Sequence, residues 1–111
     1  MGEQESKNKA VVRRWNEEVF NKKKFELIDE LCDERYSNLT AGIHGREEAK
    51  AAAKNYTGDP GLQLSIVDMI AEGDKVAVRI KYSNGREQVS YYTLAKGKIV
   101  EDRYYMGPEA K

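Results

Sequence analysis

The stretch from Ile70 to Met106 places the tightest limit on what this chain can fold into. Apolar and polar residues alternate along it, as they do in strands that bury one face. Glycine-containing pairs interrupt the alternation, and an Asn-Gly pair between alternating runs is the strongest local signal for a hairpin. The pattern predicts four antiparallel strands, Leu62–Glu72, Lys75–Ser83, Arg86–Ala95 and Lys98–Met106, joined at Gly73-Asp74, Asn84-Gly85 and Lys96-Gly97.

The residues before these strands follow a helical rather than an alternating period. Val12, Trp15 and Val19 share one helix face, which predicts a first helix from Lys7 to Asn21, with residues 1–6 disordered. The next predicted elements are a short helix over Phe25–Cys32, an extended segment over Arg35–Ala41 and a helix over Arg46–Tyr56. Helices followed by a run of strands predict one domain of the α+β class, spanning residues 1–111.

The lengths of the last two hairpin loops decide which side chains face the helices. The second long strand is predicted to turn its apolar residues inward: Val76, Val78, Ile80 and Tyr82. If both loops have two residues, the next strand adds Val89, Tyr91 and Thr93. If both have three residues and a glycine bulge, it adds Ser90, Tyr92 and Leu94 instead. The last strand turns the same residues inward in both cases: Val100, Asp102 and Tyr104.

Asp102 is the sharpest functional signal in the sequence. A carboxylate on a half-buried apolar face loses solvation, so its pKa should rise unless a donor stabilises the charge. Such acids are enriched in working sites, although a tyrosine hydroxyl or a backbone N–H can also satisfy a structural carboxylate. Both interpretations of Asp102, functional and structural, remain open at this point.

Charge and residue content argue against several classes of function. Nineteen basic residues balance nineteen acidic ones, so no net field favours a nucleic acid or an anionic membrane. No apolar run is long enough to span a bilayer and no secretory signal is recognisable, so we expect a cytoplasmic location. Cys32 is the only cysteine and His44 the only histidine, and no glycine-rich phosphate loop occurs. The sequence therefore predicts neither a metal nor a cofactor.

Three parts of the sequence together resemble the SnoaL-like polyketide cyclase group of the nuclear-transport-factor-2-like (cystatin-like) superfamily. They are the opening helix with its turn, Asn8–Tyr36; the GREEAKAA helix start, Gly45–Ala52; and the strand words DMIAEGDKVAVR, Asp68–Arg79, and GKIVED, Gly97–Asp102. The resemblance implies helices packed in the concave face of a curved, mostly antiparallel sheet, a cone-shaped roll with a pocket at one end. It also implies a small hydrophobic molecule as the ligand.

The same resemblance implies a role for Asp102. Polyketide cyclases of this kind use an inward-facing Asp on the last strand as general acid/base, and Asp102 matches that position. A His on the preceding strand usually faces this acid, whereas the candidates here are Ser90, Tyr91 and Tyr92. Ketosteroid-isomerase relatives place a Tyr on the first helix, near the position that Asn16 occupies in this chain.

Two hypotheses for the function follow. The first is a cofactor-independent enzyme of the cyclase, isomerase or lyase type, with Asp102 as general acid/base. Its ligand-binding residues are predicted to be Trp15, Asn16, Asn38, Tyr56, Val78, Ile80, Tyr91, Tyr92 and Tyr104, with the choice between Tyr91 and Tyr92 open. The second is a non-catalytic ligand-binding or homodimerisation module that uses the outer sheet face. That face is predicted to carry Leu64, Ile66, Ile70 and Ile99, with Leu94 and Tyr92 in one register.

Overall fold

Helices cover one face of a six-stranded sheet in the computed structural model, which describes residues 2–56 and 58–107. The helices are α1 (Glu3–Arg14), α2 (Ile28–Leu31) and α3 (Arg46–Lys54). A π-helical segment (Trp15–Asn21) extends α1, and a 3-10 turn (Phe25–Leu27) precedes α2. The strands are β1 (Cys32–Asn38), β2 (Ile43–His44), β3 (Leu64–Glu72), β4 (Lys75–Tyr82), β5 (Glu87–Ala95) and β6 (Lys98–Met106). The predicted α+β class, with a mostly antiparallel curved sheet, is confirmed.

The order of the strands is β2-β1-β6-β5-β4-β3, and β1 with β6 is the one parallel pair among them. A parallel pair needs a long crossover, and here the connection from β1 to β6 includes α3 and four strands of the sheet, β2 to β5. The crossover places the last residues of β1 beside the middle of β6. The side chains of Tyr36, Asn38 and Asp102 therefore share the inner face, although they are distant in sequence.

The first helix starts earlier than the sequence predicts. α1 begins at Glu3 rather than at Lys7, so the disorder expected over residues 1–6 does not extend to Glu3 and the residues after it. Acidic side chains in a first turn complement the helix dipole, and this turn carries Glu3 and Glu5. Glu5 also accepts a hydrogen bond from the Gly73 backbone N–H (3.1 Å), which ties the start of the helix to the β3–β4 turn.

The two later hairpins have loops of different length, so neither uniform register is right. The β4–β5 hairpin closes with the bond from Tyr82 N–H to the Arg86 carbonyl (2.8 Å), and Gly85 supplies a positive φ of 92° within the loop. The β5–β6 turn is Lys96-Gly97, and both residues have positive φ, as a type I′ turn requires. The first hairpin follows the three-residue scheme and turns Tyr92 inward; the second follows the two-residue scheme.

A bulge in β6 shifts the β5–β6 register by one residue and so accommodates the different lengths of the two loops. Leu94 pairs with Ile99 whereas Thr93 pairs with Glu101, so Val100 is the extra residue. The bulge brings Ile99 into the core, where it is 0% exposed, and keeps Asp102 on the same inner face. The predicted outward position of Ile99 is therefore wrong, and Val100, predicted to point inward, is only half-buried.

Most apolar residues predicted for the outer face belong to the core instead. The buried members of that set are Leu64, Tyr92, Leu94 and Ile99, and Ile66 packs against them. Ile70 alone among them is exposed, at 71%. The cause is the three-residue β4–β5 loop and the two bulges, in β3 and β6. At each bulge the alternation shifts by one residue, so the residues before it face the opposite way from what an unbroken alternation predicts.

Alanine substitutions at positions 99 and 100 test the bulge. Ile99→Ala leaves a cavity in the packed core, so we expect a loss of about 2–5 kcal/mol in the free energy of unfolding. Val100→Ala should cost less than about 1 kcal/mol, because this side chain is partly solvated. Urea unfolding of both variants measures the two losses. Equal losses at the two positions would contradict the bulged register.

Candidate functional site

The inner face of β6 carries a carboxylate into the core. Asp102 is only 5% exposed, and its register partners are Asn38 on β1 and Tyr92 on β5. The strand alternation after the bulge points its side chain toward the helices. The structure thus places Asp102 inward, as the sequence predicts.

One buried hydroxyl holds the Asp102 carboxylate. The Tyr36 hydroxyl of β1 donates to Asp102 Oδ2 (3.0 Å), and the Tyr36 side chain is 1% exposed. The Trp15 ring packs against the Tyr36 ring at 5.7 Å between centroids. Oδ1 of Asp102 is also buried, but it has no hydrogen-bond partner among the residues that the structure describes. The carboxylate therefore keeps one buried oxygen available for another group.

Burial controls the electrostatics of this cluster. Loss of solvation raises the pKa of Asp102 from 3.8 to about 7, and the hydrogen bond from Tyr36 opposes that rise only in part. Burial and the Asp102 charge together raise the pKa values of Tyr36 and Tyr92 well above 10. An acid with a pKa near neutrality can both take up and release a proton at physiological pH.

The same burial makes Cys32 a poor nucleophile. Its pKa rises to about 12, mainly through burial and then through the Asp102 charge. The thiolate is the reactive form of cysteine, so a thiol of this kind stays inert near neutral pH. Cys32 acts here as a small residue of the core.

Asn16 connects the first helix to the site. Its side-chain Nδ2 donates to the Val12 carbonyl (2.9 Å) and to the Tyr92 hydroxyl (3.3 Å). Asn16 lies in the π-helical segment, a wide and uncommon helix form that is frequent at functional sites. The amide thus reaches from the helix layer to the sheet, and it fixes the hydroxyl of Tyr92.

Of four further predicted site residues, three are buried and one is half-buried. Asn38 is buried beside Asp102, and its Oδ1 accepts from the Ala41 backbone N–H (3.0 Å), which shapes the turn after β1. Val78 and Ile80 are buried core residues of β4, and Tyr104 is half-buried near the end of β6. The structure brings Trp15, Asn16, Asn38, Tyr92 and Asp102 together on the inner side.

Two predicted ligand-binding tyrosines are exposed and do not belong to the buried cluster around Asp102. Tyr91 points to the outer face of the sheet and is 42% exposed, so the choice between Tyr91 and Tyr92 falls to Tyr92. The three-residue β4–β5 loop causes this, because it shifts β5 by one residue relative to the two-residue scheme. Tyr56 follows α3 and is largely exposed. We therefore omit Tyr91 and Tyr56 from the candidate site.

Sequence reasoning did not select the partner that holds Asp102. Tyr36 lies on β1, and its contact with Asp102 depends on the parallel β1–β6 pair. Strand alternation carries no information about which distant strand lies alongside. The one available signal is the spacing of Tyr36 and Asn38, which are two residues apart and so share a strand face.

The described residues show no metal site, and two open surface concavities lie away from Asp102. No group of three or more His, Cys, Asp or Glu side chains is placed to hold a metal ion in the described part of the chain. One concavity is lined by Glu34, His44 and the start of α3; the other lies beside Arg79, Val89 and Tyr105. The candidate site is therefore the buried cluster around Asp102.

The sequence profile of the SnoaL-like domain matches residues 12–102, most of the chain. The chain belongs to the SnoaL-like domain family. Asp102 is the last residue of the matched region, and Val12, whose carbonyl Asn16 contacts, is the first. No curated protein matches the chain significantly. The predicted resemblance to SnoaL-like and nuclear-transport-factor-2-like proteins is confirmed.

Solved structures share the fold of this SnoaL-like domain at low sequence identity. A protein of Jannaschia sp. CCS1 named as a SnoaL-like polyketide cyclase is 22% identical, with a TM-score of 0.83, and the match covers 96% of this chain and 89% of that one. One of Kribbella flavida DSM 17836 named as a ketosteroid isomerase is 18% identical (TM-score 0.81; 97% and 83% covered). An LEH-like epoxide hydrolase of M. tuberculosis is 15% identical (TM-score 0.80; 94% and 85% covered). These likenesses establish the fold, in a family whose members include cyclases, isomerases and epoxide hydrolases.

No helix in the described residues of this SnoaL-like domain is both long and apolar enough to cross a membrane.

Removal of the Tyr36 hydroxyl tests the electrostatics of the site. In Tyr36→Phe the carboxylate loses its donor while the aromatic ring that packs on Trp15 remains. We expect the pKa of Asp102 to rise above about 7, because a hydrogen bond to the charged form lowers the pKa. Carbon-13 NMR titration of the Asp102 carboxyl group measures it. An unchanged or lower pKa would show that Tyr36 does not stabilise the carboxylate.

Proposed function

We propose that this SnoaL-like domain binds a small hydrophobic carbonyl compound and transfers protons on it without a cofactor, as a cyclase, isomerase or lyase does. Asp102 is the general acid/base. The observation that carries the proposal is its environment: a 5% exposed carboxylate with a pKa of about 7, one oxygen held by Tyr36 and the other oxygen unpartnered among the described residues. A group of this kind is active in both protonation states near neutral pH.

The reaction begins with Asp102 as a carboxylate. Its free oxygen removes a proton from the carbon beside the substrate carbonyl, and the electrons of the broken C–H bond form the C=C bond of an enolate. The negative charge moves to the carbonyl oxygen, where the Tyr92 hydroxyl donates a hydrogen bond. Return of the proton from Asp102 to a different carbon completes an isomerisation. In a cyclisation the enolate carbon instead attacks a second carbonyl carbon of the same molecule, the π electrons of that C=O bond move to its oxygen, and this oxygen takes the proton from Asp102.

The surrounding side chains suit a hydrophobic substrate. Trp15, Val78 and Ile80 provide apolar walls on the helix and sheet sides of the cluster. Asn38 and Tyr104 lie on the same inner side and offer polar contacts toward the end of β6. Apolar walls with a few convergent polar groups are the usual composition of a small-molecule site.

Proton exchange on simple ketones tests the proposal without requiring the natural substrate. The protein is incubated in deuterium oxide with hydrophobic cyclic ketones that have hydrogens beside the carbonyl, such as 2-tetralone and cyclohex-2-enone. NMR then follows the replacement of those hydrogens by deuterium. We expect exchange faster than in buffer with heat-unfolded protein. Equal rates for every ketone tested would overturn the assignment to carbonyl proton transfer.

A second candidate function, homodimerisation, rests on the outer face of the sheet. Four large apolar residues are exposed there: Ile70, Val89, Tyr91 and Tyr105. The Asp68–Arg79 ion pair (3.2 Å) lies among them and is solvent-exposed. A two-fold axis would place such an ion pair opposite its own copy, with opposite charges in reach, so a second copy of the chain is the proposed occupant.

Sedimentation equilibrium tests this interface. We expect a dimer for the wild-type protein at tens of micromolar, and a monomer for Ile70→Lys, because the new charge would be buried against the partner. Glu26→Lys, a charge reversal at an exposed residue of the helix layer on the other side of the sheet, is the control and should remain a dimer. A monodisperse wild-type monomer at that concentration would contradict the proposed dimer.

A further inference from the structure

The π-helical segment Trp15–Asn21 carries two residues of the candidate site. Trp15 packs on the Tyr36 ring, and Asn16 donates to the Tyr92 hydroxyl (3.3 Å). A π-helix bonds each N–H to the carbonyl five residues before it and is rare, so contacts outside the helix are needed to maintain it. Such contacts lie at both ends of this segment.

An asparagine side chain marks the start of the π form. Asn16 Nδ2 donates to the Val12 carbonyl (2.9 Å). In an α-helix that carbonyl would accept from the backbone N–H of Asn16, four residues later. A side chain that inserts into the α-helical bonds in this way distorts the helix at that point. The change from α1 to the π-helical segment therefore coincides with the side-chain bond of Asn16.

A second asparagine fastens the end of the segment to the sheet. Asn21 Nδ2 donates to the Leu64 carbonyl (2.9 Å), and the Leu64 N–H donates to Asn21 Oδ1 (2.9 Å). Because β3 is an edge strand, the Asn21 amide takes both backbone groups of Leu64, as a residue on a neighbouring antiparallel strand would. We name these two bonds the amide clamp. Gln63 Nε2 adds a further bond, to the Asn21 backbone carbonyl (3.3 Å).

The helix is held at both ends of the same strand. Next to the amide clamp, the Phe20 ring packs edge-on against Tyr82 (5.8 Å between centroids), which is the register partner of Leu64. At the opposite end of β3, Glu5 accepts from the Gly73 N–H. The π-helical segment lies between these two attachments, so its form is tied to the position of the helix on the sheet.

The spacing of the two asparagines suits the π form better than the α form. Asn16 and Asn21 are five residues apart, which places them about 140° apart around an α-helix of about 3.6 residues per turn. That angle is too wide for both side chains to face the sheet directly. The bonds of a π-helix join residues five apart and bring them onto nearly the same side. The π form thus lets Asn16 reach Tyr92 while Asn21 reaches Leu64.

We propose that Asn21 is a positioning residue of the candidate site. Its amide clamp on Leu64 maintains the π form, and that form keeps Trp15 and Asn16 on their tyrosine partners. Without the clamp the segment relaxes to the commoner α form and turns these side chains. The inference rests on the proposed proton transfer, in which Tyr92 donates to the substrate oxygen. It makes the rate depend on a residue at the edge of the sheet.

Asn21→Ala tests the amide clamp through the backbone hydrogen bonds of the segment. NMR couplings across hydrogen bonds identify which carbonyl accepts each N–H. We expect bonds between residues five apart in the wild type and four apart in Asn21→Ala. Trp15 is the only tryptophan, so fluorescence and near-ultraviolet circular dichroism of the same folded sample report on its contact with Tyr36, and both should change. Ketone exchange should slow by about 10- to 100-fold, because a misplacement of about 1 Å can cost about 100-fold.

Gln63→Ala is the matched control. It removes the bond to the Asn21 backbone carbonyl and leaves the amide clamp intact, so the π-helical bonds and the tryptophan signals should stay as in the wild type. Asn21→Asp covers the case in which Asn21→Ala does not fold. It keeps the acceptor for the Leu64 N–H and loses the donor to the Leu64 carbonyl, so we expect the same change to a smaller extent.

An unchanged π-helical bond pattern in folded Asn21→Ala or Asn21→Asp would overturn the inference. So would an equal change in Gln63→Ala, because that result would assign the effect to general loosening at the edge of the sheet. The bond pattern and the tryptophan signals need no substrate, so they separate this inference from the proposed reaction. An altered pattern in Asn21→Ala, with no ketone exchange in the wild type, would retain the clamp and remove carbonyl proton transfer.

Discussion

Asp102→Asn is expected to lower the rate of ketone proton exchange by about 100- to 10,000-fold, the range that a general acid/base contributes. Asparagine has nearly the same shape and can still accept from Tyr36 through its amide oxygen. It cannot take up a proton near neutral pH. The expected loss is therefore in the chemical step, while the affinity for the ketone, measured by NMR titration, should change little.

Glu101→Gln is the matched control for this variant. It removes a carboxylate from the neighbouring residue, whose side chain points away from the cluster and contacts Arg103. Exchange should stay within about twofold of the wild-type rate, because this position lies outside the site. Wild-type exchange in Asp102→Asn would remove Asp102 from the mechanism, and equal losses in both variants would point to a general effect of surface charge.

The sequence was sufficient for the strands because their pattern is local. The alternation from Ile70 to Met106 and the glycine-containing turns define three hairpins, each closed by residues that are adjacent in the chain. The inward position of Asp102 was predictable for the same reason. Under either uniform loop scheme its place in the alternation is unchanged.

The predictions of which side chains face the core were wrong where a strand contains a bulge. The bulge at Val100 reverses the faces of the residues between the turn and Glu101, which is why Ile99 is buried although alternation alone places it outside. A bulge of this kind depends on how the whole sheet curves and packs. No residue within the Lys98–Asp102 segment marks it in advance.

The contacts of the site were harder to predict because they join distant elements. Tyr36 reaches Asp102 through the parallel β1–β6 pair, and Asn16 reaches Tyr92 through a π-helical turn. Neither strand alternation nor helical periodicity specifies such pairings. The family resemblance named Asp102 and the region of Asn16, whereas the hydrogen bonds that connect them to partners came only from the three-dimensional arrangement.

The stability of the wild-type protein should fall as the pH rises from about 4 to about 7, relative to Asp102→Asn. The pKa of Asp102 is about 7 in the folded chain and close to 3.8 when unfolded, so the folded state holds a proton that the unfolded state releases in this range. Unfolding then releases a proton, and raising the pH favours it. The contribution is present in full below the unfolded pKa and is lost as the pH rises through the folded value.

Urea unfolding of both proteins at pH 5 and pH 8 measures this effect. Between these two pH values the free energy of unfolding of the wild type, relative to that of Asp102→Asn, should fall by up to about 3 kcal/mol, because about two of the pH units between the unfolded and folded pKa values lie above pH 5. Carboxylates with lowered pKa values, such as Asp33, are common to both proteins and cancel in the comparison. A difference that does not change with pH would mean that Asp102 keeps an ordinary pKa in the folded protein. Its environment would then no longer support a role as general acid/base near neutral pH.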